Sequence, residues 1–141
     1  MTMRPLWIFL AAALAGCATL MLDPLEQLRD ANKQNIAKLS VGHTRLEVES
    51  IMGNARAGGG LPELVFGRVQ YLQARNPMRE ERLVGADGVE YEVLFYYTDL
   101  RERDDKITDD ELTPVVLREG RVAGIGYRFL GERAPRYRGY Q

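Results

Sequence analysis

Acidic side chains crowd residues 99–111 of this 141-residue chain: Asp99, Glu102, Asp104, Asp105, Asp109, Asp110 and Glu111. Such a cluster could supply the six to eight oxygens that calcium takes. A pair of its carboxylates could in principle serve as acid and base in glycoside hydrolysis. The spacing does not follow the EF-hand loop, and no glycine sits at the turn that loop requires. Arg101, Arg103 and Lys106 interleave with the carboxylates and offset their field. The plainer reading is a solvated loop whose charges keep neighbouring strands from pairing with other chains. Thr108 or Asp109 is placed to cap a short turn before the next strand.

The other chemically capable residues stand alone. His43 is the only histidine and Cys17 the only cysteine, so His43 has no Cys or second His to share a metal with. It lies just before a helix-capping threonine and reads as a turn residue. Gly58-Gly59-Gly60 lacks the lysine and following helix of a phosphate-binding loop. No Ser-His-Asp pattern or dinucleotide fingerprint occurs. The expectation is therefore a non-enzyme with no catalytic residue, no cofactor and no metal. A calcium-binding protein or hydrolase built on the acidic loop is the alternative, with an inhibitor of a periplasmic hydrolase as a further one.

Cys17 carries the sharpest signal. Arg4 and the apolar run Leu6–Leu14 form a positive and then a hydrophobic region, as a secretory signal does. The run is far short of the roughly 20 residues that span a bilayer. It ends in Leu14-Ala15-Gly16-Cys17, which resembles the lipobox of bacterial lipoproteins. That resemblance implies cleavage before Cys17 and lipidation of its sulfur and amine. Each buried CH₂ contributes roughly 0.8 kcal/mol, so two or more acyl chains anchor firmly where one does not. Ala18, in place of an aspartate, resembles the pattern of lipoproteins sorted to the outer membrane. The expected partner is the membrane, through this lipid, with the mature chain facing the periplasm.

The elements that follow are legible in places. Net charge is −1 at pH 7, which argues against nucleic acid as a partner. Residues 1–16 read as the signal peptide and 17–22 as a lipidated tether. Asp23 and Pro24 then open a helix over about 24–38. Thr44 and Glu47 form a capping box for a second, short helix with Leu46, Val48, Ile51 and Met52 on its apolar side, stopped by Gly53. Residues 54–62 read as a loop, with the three glycines its mobile part. Leu64–Phe66 and Val69–Leu72 read as a strand, and Asn76-Pro77 as a turn. Glu81–Val84 and Val89–Tyr97 flank a hairpin turn at Gly85–Gly88. Leu112–Leu117 and Val122–Phe129 form a second hairpin, and the segment between the two hairpins reads as a loop. The fold class is α+β: two N-terminal helices packed on an antiparallel sheet as a two-layer sandwich over 23–131. Residues 132–141 read as a flexible basic tail.

The stretch Lys38–Val48, with Met52-Gly53, resembles the opening motif of the SmpA/OmlA (BamE-like) lipoprotein family: helix stop, capping box, short amphipathic helix, helix stop. Gly42, Thr44 and Glu47 carry the resemblance. His43 stands where a methionine is common, no proline follows Gly53, and 54–88 is longer than the family's link. The resemblance implies two helices on an antiparallel sheet and a lipid anchor in the outer membrane. It also implies a role in outer-membrane protein assembly. Tyr97-Thr98-Asp99 and Asp109–Pro114 resemble a pattern in uncharacterised bacterial lipoproteins.

The expected work is therefore positioning: a non-catalytic module holding an envelope protein partner near the membrane. Tyr91, Phe95, Tyr96 and Tyr97 alternate along one strand. Gly124 and Gly126 would leave a shallow groove beside it. Aromatic residues and arginine are enriched at interfaces, so Tyr96 and Arg128 are the expected contact residues.

Overall fold

The computed structural model describes residues 23–59, 72–104 and 106–135. Cys17 and its tether, all but Leu72 of the strand expected over 64–72, Asp105 and residues 136–141 lie outside them.

Helix α1 (Pro24–Ile36) begins as its sequence dictates: the Asp23 carboxylate accepts from the Leu25 N–H at 3.0 Å, and proline occupies the first turn. It ends two residues before the expected stop, in a turn that buries Leu39. Helix α2 (Arg45–Met52) carries the full capping box. The Thr44 N–H donates to the Glu47 carboxylate at 2.7 Å, and the Glu47 N–H donates to the Thr44 hydroxyl at 3.2 Å. Gly53, at φ 68°, closes it in the left-handed region that glycine tolerates.

Four antiparallel strands form the main sheet in the order β3-β4-β5-β6: β3 (Arg79–Val84), β4 (Glu90–Tyr97), β5 (Leu112–Arg118) and β6 (Arg121–Ile125). The expected turn at Gly85–Gly88 joins β3 to β4, with the Gly85 N–H donating to the Val89 carbonyl at 2.8 Å. A separate two-stranded antiparallel ribbon pairs β1 (Arg56–Gly59) with β2 (Leu72–Arg75). The loop expected from residue 54 is thus a strand over Arg56–Gly59. Arg-Ala-Gly-Gly has little intrinsic β preference, and the pairing with β2 supplies the order instead.

The α+β class holds, and the sheet is covered on both faces rather than one. Tyr91, Val93, Phe95, Tyr97 and Val116 face a cluster completed by Leu25 and Leu28 of α1, Ala74 of the ribbon and Leu130. Leu94, Tyr96, Val115, Leu117 and Val122 face the other way, under Val48 and Met52 of α2 and Leu39. Helix α1 contributes to both clusters, with Leu25 and Leu28 on one side and Ile36 on the other.

The last expected strand is corrected. It ends at Ile125, Gly126 turns the chain at φ 90°, and Tyr127–Arg133 form helix α3. A Cβ on Gly124 would lie 2.3 Å from Phe129 Cγ. The gap left by Gly124 is therefore filled by this chain's own ring, not held open as a groove for a partner. The expected tail is also shortened. Glu132 and Arg133 belong to α3, Ala134 is buried, and the Ala86 N–H donates to the Arg133 carbonyl at 2.8 Å.

Candidate functional site

In the acidic loop, the side chains bind their own backbone and nearby arginines. Glu111 is buried. Its carboxylate accepts from the N–H groups of Arg101 at 2.8 Å and Thr108 at 3.0 Å. Its carbonyl accepts from Thr98 and Asp99, at 3.0 and 3.1 Å. Asp110 accepts from the Thr108 hydroxyl at 2.5 Å, and Asp104 from the Lys106 N–H at 3.0 Å. Asp109 pairs with Arg79 at 2.7 Å, and Arg103 reaches Glu26 of α1 at 3.1 Å. Glu111 is the residue that shapes this loop, and the short turn Asp109–Glu111 sits where a Thr108 or Asp109 cap was expected. Among the described residues, no group of three His, Cys, Asp or Glu side chains converges as a cation site would need.

His43 sits in the turn before α2. Its Nδ1 accepts from the Ser40 N–H at 3.3 Å, and its carbonyl accepts from the Val122 N–H at 2.8 Å. The Gly42 N–H donates to the Val122 carbonyl at 2.8 Å, so the helix junction is stitched to β6.

The expected contact pair is corrected. Tyr96 is 1% exposed, beneath α2. Burial pushes its hydroxyl above the ordinary tyrosine range. Arg128 is almost wholly exposed on α3 and pairs with Glu132 at 3.3 Å. Helix α3 packs on the cluster at the opposite face of the sheet, so Tyr96 and Arg128 share no surface. The aromatic run of β4 is core on both sides.

Three constellations emerge that the sequence did not disclose. Arg45, at the first position of α2, meets Glu49 at 2.7 Å, Glu80 of β3 at 3.0 Å, and Glu92 of β4. Those carboxylates raise its pKa further, and the contact ties α2 to two strands. Only the Arg45–Glu49 spacing of four was visible in sequence. Arg79 lies over the Phe95 ring at 4.2 Å while holding Asp109 and Glu81, which ties the acidic loop to the sheet edge.

The third is on the ribbon. Arg56 and Arg75 are direct partners across β1 and β2. Ala57 and Ala74, the next pair, face the core, which turns the two arginines outward, and both are exposed. Gly58 and Gln73, the following pair, share their outward face. Two depressions, of about 480 and about 580 Å³, meet at Arg56, Arg75 and Met78. Asn54 lines the first, Gly58 and Gln73 the second.

No family model matches this sequence, and neither a curated protein nor a solved structure does.

Proposed function

We propose that this chain is a non-catalytic, lipid-anchored module that faces the periplasm from the outer membrane and binds another envelope protein. The observation that carries the reading is the spacing of Leu14-Ala15-Gly16-Cys17 from the first capped helix. Asp23 already caps α1, so only residues 18–22 separate a lipidated Cys17 from the folded body. Five residues span at most about 18 Å. A lipid on Cys17 would therefore hold the domain against the headgroups and turn partner search into a two-dimensional one, raising effective concentration.

Two features of the body support a binding role. Both faces of the main sheet are core, and the charged surface is organised by fixed ion pairs such as Arg45 with Glu80. The capped α2 between Gly42 and Gly53, stitched to β6, supports the SmpA/OmlA-like reading of this stretch. An assembly role in the outer membrane follows from that reading alone.

Fractionation of envelopes from cells expressing the full chain tests the proposal. The native chain is expected in the outer-membrane fraction, and Cys17→Ala in the soluble periplasm. Crosslinking in intact cells followed by mass spectrometry is expected to recover an envelope protein with the native chain. Identical, soluble fractionation of both chains would contradict the reading.

A further inference from the structure

Arginines directly opposite one another on antiparallel strands have Cβ atoms only about 4.5–5.5 Å apart, and such like-charge pairs destabilise the pairing. Compensation normally comes from a carboxylate. Among the described residues, none forms an ion pair with Arg56 or Arg75. The neighbouring charges are already committed: Arg79 holds Asp109 and Glu81, and Glu80 holds Arg45. Two cations thus stand side by side, outward, where two depressions meet.

The surroundings suit a chain better than a single ion. Gly58 places no side chain beside the guanidinium groups, and a Cβ there would still have its nearest contact at 3.9 Å. Gln73, on the same face, offers an amide able to donate to and accept from a backbone. Asn54 does the same on the far side. Met78, half-buried in the wall of both depressions, offers the polarizable, adaptable surface that binding grooves favour. Planar guanidinium forks match carboxylates in bidentate fashion.

We infer that the outward face of the β1–β2 ribbon is a docking groove for an acidic peptide segment of a partner protein. The partner's carboxylates would bridge Arg56 and Arg75, and a neighbouring apolar side chain would lie on Met78. The inference rests on the reading of this chain as a protein-binding module and gives that partner its chemistry.

The test is fluorescence anisotropy with a short labelled peptide alternating Glu and Leu, on the full lipidated chain in detergent and on Cys17→Ala. Using both separates failure of the groove from failure of the anchor. Arg56→Gln/Arg75→Gln is expected to weaken binding on the order of tenfold or more, with Arg118→Gln unchanged. Inorganic phosphate and phosphatidylglycerol vesicles are expected not to displace the peptide. The double variant is also expected to melt at a higher temperature without peptide, because the facing charges are gone. No binding by the native chain, equal binding by the double variant, displacement by phosphate or vesicles, or a lower melting temperature would each overturn the inference.

Discussion

Asn32 and Asn76 grip each other's side-chain amides inside the core. The Asn32 amide donates to the Asn76 Oδ1 at 2.9 Å, and the Asn76 amide returns a bond to Asn32 Oδ1 at 2.6 Å. Their remaining N–H groups donate to the Tyr97 and Met52 carbonyls, both at 2.8 Å. One pair of amides therefore fastens α1, the end of α2, the end of β4 and the bend after the ribbon. Asn32 is fully buried, a setting in which a polar group is tolerated only when its bonds are made.

Asn32→Ala is expected to orphan the Tyr97 carbonyl and half of the Asn76 amide, at about 1–3 kcal/mol for each group left unpaired. Urea denaturation measures the loss. Asn76→Ala should cost a similar amount. The double variant should cost clearly less than the two single losses added together, because the partners act as a unit. Strict additivity would mean that the pair is not coupled.

Gly124→Ala is expected to destabilise by about 1–3 kcal/mol through overpacking, since the new methyl would meet the Phe129 ring. Phe129→Leu in the same chain should recover part of that loss. If Gly124→Ala melts like the native chain, α3 does not press on β6 as described.

Arg45 is about a third exposed, so solvent screens its three pairs and each contributes at most about 1 kcal/mol. Arg45→Gln is expected to lower stability by about 1–2 kcal/mol at low salt. The difference should shrink in molar salt, where the Debye length falls to about 3 Å. A salt-independent loss would point to packing of the arginine stem instead.

Three tyrosines are held neutral in the fold. Burial raises the hydroxyls of Tyr96 and Tyr97, and the hydrogen bond to Asp87 raises that of Tyr91. A pKa raised on folding contributes stability that is present below the unfolded value of about 10 and is lost as pH rises through the higher folded values. Ultraviolet titration should therefore show a late tyrosine phase above pH 10 that coincides with loss of near-ultraviolet circular dichroism. Tyr96→Phe should reduce that phase and delay the alkaline unfolding. Full ionisation of every tyrosine near pH 10 with the fold intact would contradict this burial.

Local signals were the readable ones. The Asp23 and Thr44–Glu47 caps lie within three residues of the groups they satisfy, so they survive any tertiary context. Gly53 and the Gly85–Gly88 turn are equally local. The features that differ from the sequence pattern share a different cause. Ala123, Ile125, Tyr127 and Phe129 keep a period of two, yet Gly126 breaks the strand and the ring of Phe129 folds back onto Gly124. That contact is tertiary and leaves no mark on the periodicity. Tyr96 can serve as a contact residue only if its face of β4 is open to solvent, and α2 covers that face. The unbroken apolar run Val93–Tyr97 is itself the signature of a strand buried on both sides. The ribbon was hidden because Arg-Ala-Gly-Gly carries no β-branched residue, and the Arg56–Arg75 pairing depends on a register set across separate segments. Glu111 was one carboxylate among many in sequence, and only its burial singles it out.

Lipid on Cys17 is the premise of the proposed function, and intact-mass spectrometry of the protein purified from its own envelope tests it most directly. The expected N-terminal peptide begins at Cys17 and carries the added mass of a diacylglyceryl thioether and an N-linked acyl chain. An unmodified peptide that begins at Cys17 or elsewhere, from protein recovered in the soluble periplasm, would contradict it.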